Sequence, residues 1–135
     1  MNPFLRICVL FLVAAFVFAG LDLLWLGRVM GDYYDAQLGP LKAQPVLKAP
    51  AVIFYVFYLG FLLKYGVLRA LDARESLQRG SLMGLFAYGT YEFTNWAVIQ
   101  GWPAGLVLVD IVWGVVLTGA VCGVAKICDQ KLPTQ

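Results

Sequence analysis

The sequence predicts an all-α membrane protein, a bundle of four transmembrane helices with both N and C termini cytoplasmic. Three observations carry that reading. Apolar residues make up 61% of the 135-residue chain and charged residues 13%, against ~25% charged in soluble domains. Four apolar stretches come close to the ~20 residues that cross a hydrocarbon core as a helix. Basic residues sit at the ends of those stretches, where they set orientation. Backbone at that depth has no water to bond, so spans are helices or closed barrels, and unbroken runs without strict alternation select helices. Residues 1–135 read as a single integral membrane domain.

The first span is expected over about 5–27, where Asp22 is the only charge after Arg6. Its basic start, short apolar core and small residues near Val17 and Ala19 also fit a signal peptide. The apolar run, however, continues to Leu26, and cleavage would reverse the charge logic of the rest. The outer loop, 28–48, is broken by Gly39, Pro40 and Pro45 and given an apolar side by Tyr33, Tyr34, Leu38 and Leu41. It reads either as a lid over the bundle or as a plain connector. The second span covers about 49–69. Tyr55, Tyr58, Leu62 and Tyr65 share one side of it, and Phe54, Phe57, Phe61 and Lys64 the other. The Tyr side is expected to face the bundle and the Phe side lipid, with Lys64 snorkelling toward headgroups.

The third span, about 80–100, and the fourth, about 103–126, are joined by the uncharged hairpin "QGWP". Arg6, Arg69, Arg74, Arg79, Lys126 and Lys131 then share one side of the membrane and Arg28, Lys42 and Lys48 the other. The excess places the termini in the cytoplasm. Trp25, Trp96 and Trp102 fall at the outer level, as an aromatic belt does.

Two short stretches single out a candidate site. "GLDLLWLG" sets Asp22 three residues before Trp25, and "VDIVWG" sets Asp110 three residues before Trp113. Six Asp and four Trp in a chain of this length rarely give one such pair by chance. An ionisable residue inside a span costs at least ~2.5 kcal/mol by insertion scales, and its default reading is functional. Asp22 lies near the outer end of span one. Glu92 lies some two turns below the outer surface on span three, and Asp110 lies ~10 Å in on span four at 1.5 Å per residue. The three carboxylates therefore agree in depth. Tyr88, Glu92 and Asn95 form one stripe of span three. The expected interior combines Asp22, Glu92 and Asp110 as candidate acid and base groups with Trp25, Tyr55, Tyr58, Tyr88, Asn95 and Trp113 as ligand-binding residues.

Small residues mark the packing faces. Gly80, Gly84 and Ala87 line span three beside the acidic stripe, where they permit close helix approach. On span four, Gly105, Gly119 and Gly123 oppose the Asp110 face, with Gly119 and Gly123 in a G-x-x-x-G. That back face suits either a homodimer or packing within the chain.

Composition narrows the chemistry. The chain has no histidine, which removes the commonest general base and metal ligand. Cys8, Cys122 and Cys128 form no C-x-x-C or zinc spacing and read as packing residues. No metal or cofactor is assigned. Nucleotide-binding and nucleic-acid motifs are absent, so nucleic acid is not an expected partner. Three close carboxylates in a low dielectric cannot all stay ionised unless a metal, a proton relay or a cationic ligand compensates.

Three functions compete. In the first, the pocket binds or modifies a hydrophobic, lipid- or isoprenoid-like small molecule. Asp110 or Glu92 then supplies a proton, Asp22 orients or accepts, and aromatic faces stabilise a cation. In the second, the protein is an accessory or assembly subunit of a membrane complex. In the third, it is a dimeric proton- or cation-coupled transporter. Pairing of the acids with Trp and Tyr donors as structural glue stands beside all three. Whether the protein is an enzyme stays open at this stage.

The segments "LDLLWLG", "YYDAQLG", "YGTYEFTNWAVIQGWP" and "LVDIVWG" together resemble the bacterial membrane proteins grouped as domain of unknown function 2177. The likeness covers nearly the whole chain. Family members carry an acidic residue before Leu/Phe-Thr-Asn in span three, here Glu92, Phe93, Thr94 and Asn95. The resemblance implies a small four-span protein of the bacterial inner membrane and no particular activity.

Overall fold

The computed structural model describes residues 1–133, all of them helix, turn or coil. The first helix, α1 (Pro3–Val29), begins with Asn2 capping the Phe4 amide and with Pro3 in the first turn, where its missing N–H costs nothing. Its last turn, Trp25–Val29, widens to a π-helix. A short helix, α2 (Gly31–Leu38), and a 3-10 turn at Gly39–Leu41 follow. Gly31 is dictated by contact: a Cβ there would sit 2.2 Å from the Leu26 carbonyl oxygen. The bare glycine lets α2 fold back against the end of α1. The expected outer loop is thus partly helical, with α2 set directly after α1.

Helix α3 (Lys48–Val67) ends in a second π-helical stretch, Leu62–Val67. Helix α4 (Ala73–Val98) starts seven residues before the expected third span. Asp72 caps it by accepting from the Glu75 amide at 2.8 Å, and the Glu75 carboxylate reaches back to the Leu71 amide at 2.7 Å. Apolar content alone could not mark that start, because its first turns carry Arg74, Glu75, Gln78 and Arg79. Helix α5 (Ala104–Lys131) runs five residues beyond the expected end of span four. Lys126, expected among the basic residues on the cytoplasmic side, is 7% exposed. It pairs with Asp129 at 3.2 Å, and Arg6 of α1 pairs with the same carboxylate at 2.6 Å.

By length and hydropathy, α1, α3 and α5 can each cross a membrane. Helix α4 matches them in length, 26 residues or ~39 Å, but is more polar. It lies antiparallel to α5 across the turn at Gly101, whose φ of +82° favours glycine. The two helices approach very closely. A Cβ on Gly84 would stand 2.1 Å from the Gly114 carbonyl oxygen, and one on Gly114 would meet the Tyr88 ring at 2.2 Å. Gly119 and Gly123 face Ser81 and Leu77 of α4 and are buried. Those two glycines therefore pack within the chain, and the surface expected to suit a second copy is covered there. Gly105 alone of the three stays exposed.

The core lies where α1 and α3 meet α5. Leu10, Ala14 and Phe18 of α1 pack with Leu59, Leu62 and Leu63 of α3 and with Leu117, Val121 and Ala125 of α5. Cys122 is fully buried there, in the packing role expected of it, and the three cysteines are free thiols. The Ser76 hydroxyl lies 2.9 Å from both the Gly66 and Cys122 carbonyls, tying α4 to α3 and α5 at one end of the bundle. At the other end α3 diverges from α4. That divergence creates the space described next.

Candidate functional site

A cavity of about 480 Å³ opens between the helices at the α2 end of the bundle. Asp22 of α1, Glu92 of α4 and Asp110 of α5 all line it. Three carboxylates far apart in sequence thus line one chamber. Tyr55, Tyr88 and Trp113 line it too, and Phe54, Tyr91, Leu26 and Leu106 supply much of its apolar wall.

Each carboxylate is held by a ring donor. The Trp113 indole N–H donates to Asp22 Oδ1 at 3.1 Å. The Trp102 indole N–H donates to Glu92 Oε2 at 2.9 Å. Tyr34 of α2 donates its phenolic hydrogen to Asp110, and the Trp25 indole N–H donates to the Tyr34 oxygen at 3.3 Å. The two indoles are stacked: Trp25 and Trp113 lie 4.4 Å apart between ring centres and 4° from parallel. Each D-x-x-W pair is therefore completed by the other. Asp22 is bonded to the Trp of the second motif, and Asp110 is linked through Tyr34 to the Trp of the first.

Tyr34 is what closes this arrangement. It is 9% exposed although it belongs to the connecting segment. Burial first, and then the hydrogen bond to Asp110, hold its phenol above the usual range. It therefore remains a protonated donor at neutral pH. Leu38, at the end of α2, packs on the cluster of Trp102, Val107 and Ile111. Tyr34 and Leu38 of this segment both line the cavity.

Several site residues fall elsewhere than expected. Asn95 is partly exposed and outside the cavity lining, one turn from the end of α4. Tyr58 lies deeper, 2.9 Å from the Thr118 hydroxyl and stacked on Phe54 at 5.2 Å. Trp25 stands behind Trp113 as a support and does not line the cavity. Phe54, expected to meet lipid, turns one face to the chamber because α3 stands away from α4 there. Trp102, expected in the interfacial belt, is 9% exposed because Glu92 needs its N–H. Tyr34, Tyr91 and Trp102 had no polar periodicity to announce them. For Tyr34 and Trp102 the only hint was an aromatic polar tip beside a span that needed a donor.

Among the described residues, no cation pairs with Asp22, Glu92 or Asp110. The ion pairs among the described residues join Arg6 and Lys126 to Asp129, Lys42 to Asp35, and Arg79 to Glu75. No three His, Cys, Asp or Glu side chains among the described residues are grouped as a metal ion would require. The chamber therefore offers acceptor oxygens and aromatic faces to whatever enters it.

The family model DUF2177, described as "Predicted membrane protein", matches residues 7–127. The chain belongs to this family. Every cavity-lining residue of this DUF2177 protein falls within the matched stretch. No curated protein and no solved structure matches the chain.

Proposed function

We propose that this DUF2177 protein is a four-span protein of the bacterial inner membrane that binds, or binds and modifies, a hydrophobic small molecule in its acidic-aromatic cavity. One observation carries the reading: carboxylates from three helices line a single aromatic chamber and pair with no cation among the described residues. Intramembrane acids are costly, and a ligand that engages them explains their cost. The antiparallel pairing of α4 with α5 supports the four-span count. If α5 crosses the bilayer, a helix of equal reach folded back along it crosses too. The basic residues favour cytoplasmic termini, with the cavity then in the outer half.

In this reading Trp113 and Tyr34 orient Asp22 and Asp110, while Tyr55 and Tyr88 offer π faces. A positive centre on the ligand, permanent or developing during reaction, is stabilised by both carboxylate and ring. Should chemistry follow binding, Asp110 or Glu92 is placed to donate a proton and Asp22 to accept one. The likeness to acid-driven isomerases is one of chemistry only.

Native mass spectrometry of protein extracted in mild detergent tests this reading. A defined small-molecule mass is expected on the wild type and lost from folded Asp110→Asn. Retention of a protein partner in place of a small molecule would instead make the chain an accessory subunit. Bare protein in both samples would leave the acids as structural glue.

A further inference from the structure

A second, more open groove of about 510 Å³ adjoins the chamber, and the two share Phe54 and Ala87 as lining. Tyr58, Phe61, Leu82, Met83, Phe86 and Thr90 complete the groove, which lies wholly between α3 and α4. Its wall is almost entirely apolar. From Glu92 to Leu82 on α4 is ten residues, ~15 Å along the axis, or about half of a ~30 Å hydrocarbon core. The combined space therefore has a polar head end and an apolar tail end, and its reach matches one leaflet.

Access follows from what covers each side. Tyr34 and Leu38 of α2 close the end of the chamber, Tyr34 by its bond to Asp110 and Leu38 by packing on the Trp102 cluster. The gap between α3 and α4 is not closed by direct packing. The outer half of α3 and the facing edge of α4 both leave large side chains exposed, among them Phe54, Phe86 and Tyr91. At the head end, Trp113, Trp102 and Tyr34 each bond one oxygen of a carboxylate. Glu92, 1% exposed, also lies within hydrogen-bonding reach of Asp110, while the second oxygen of Asp22 accepts from no protein donor among the described residues.

Resting on the proposed ligand site, we infer its substrate class and route. The ligand is a bilayer-dissolved amphiphile with a cationic, hydrogen-bond-donating head on a single apolar chain, and it enters sideways between α3 and α4. The head displaces no protein cation, because none among the described residues is paired with these carboxylates, and it donates to Asp22 and to the Glu92–Asp110 pair. The chain lies along the groove past Phe54 and Ala87 and remains among lipid-like surfaces throughout. A water-borne ligand would instead have to displace α2.

Thermal unfolding of the protein in phosphatidylcholine nanodiscs, titrated with dodecylamine, dodecanol or dodecanoate, tests both parts. A ligand that binds only the folded state raises the melting temperature saturably. Dodecylamine is expected to bind at least about tenfold more tightly than dodecanoate, and Asp110→Asn should remove that preference. Ala87→Trp, which fills the junction of the two spaces, should weaken dodecylamine by about tenfold or more. Phe54→Ala, which strips away the wall that the tail lies against, should weaken it too and stands in if Ala87→Trp fails to fold. Leu12→Trp, on an exposed part of α1, should leave binding unchanged. Equal binding of amine and carboxylate, both lost in Asp110→Asn, would overturn the head class and keep the site. Unchanged dodecylamine binding in Ala87→Trp and Phe54→Ala would overturn the lateral route. If no probe of any head group binds the wild type, the ligand-site reading itself fails.

Discussion

Asp22 accepts its hydrogen bond from Trp113, 91 residues away, and not from Trp25 one turn along its own helix. Asp110 reciprocates, reaching Trp25 through the Tyr34 hydroxyl. The two D-x-x-W motifs are thus a cross-brace between α1 and α5, with their indoles stacked at the centre. Structural bracing and site-building are carried by the same two carboxylates, which accept from Trp113 and Tyr34 and also line the chamber. The two roles separate experimentally through the variants below.

Asp22→Leu leaves the Trp113 N–H without its acceptor inside the bundle. Interhelical hydrogen bonds in bilayers contribute about 0.6 kcal/mol on average and up to about 1.7, so a loss in that range is expected in detergent unfolding. Asp22→Asn keeps a carbonyl oxygen and should retain most of the stability. Near-ultraviolet circular dichroism should show the stacked-indole signal weakened in Asp22→Leu and preserved in Asp22→Asn. Equal stability and spectra for both variants would contradict the brace.

Tyr34→Phe removes both bonds that hold α2 over the chamber while sparing the buried ring. Each contributes about 1 kcal/mol, so amide exchange across residues 31–38 should rise by about fivefold or more. Exchange in the core of α5 should not change. Uniform protection in both proteins would mean that α2 is fixed by packing alone.

The α4–α5 contact depends on backbone approach. Gly84→Ala puts a methyl against the Gly114 carbonyl, and overpacking of this kind costs about 1–3 kcal/mol. Gly60→Ala, at an exposed helical glycine with nothing near its Cβ position, should stabilise by about 0.5–1 kcal/mol. Thermal melts of the two variants should move in opposite directions.

Lys126 and Asp129 form a buried pair, joined by the half-exposed Arg6. Asp129→Asn strands the buried ammonium, and breaking such a pair costs about 3–5 kcal/mol. Replacing both partners, Lys126→Met with Asp129→Leu, should recover much of that loss, because Arg6 can turn to water. Unfolding midpoints of the single and double variants check this directly.

Much of this was legible in the sequence because lipid imposes a coarse code. Apolar length located the helices, and an acid inside a span is rare enough to be noticed singly. Asp22, Glu92 and Asp110 therefore came out together from depth alone. What escaped was whatever depends on partner identity. A D-x-x-W motif reads as one turn of one helix, and nothing local reveals that its bond goes to the other copy. Trp102 carries the same signature as an interfacial anchor until Glu92 is placed beneath it. Tyr34 lay in a segment with weak periodicity, and its burial depends on Gly31 folding α2 back. The starts and ends of α4 and α5 shifted because capping and a buried ion pair extended helices beyond their apolar stretches.

The most direct test of the central claim is a diffraction structure of the protein crystallised from a lipidic mesophase with its native lipid extract. The account predicts non-protein density in the chamber, its polar end against Asp22, Glu92 and Asp110 and its tail passing Phe54 into the α3–α4 groove. A chamber filled by Tyr55 and Tyr88, with the three carboxylates bonded only to protein, would contradict it.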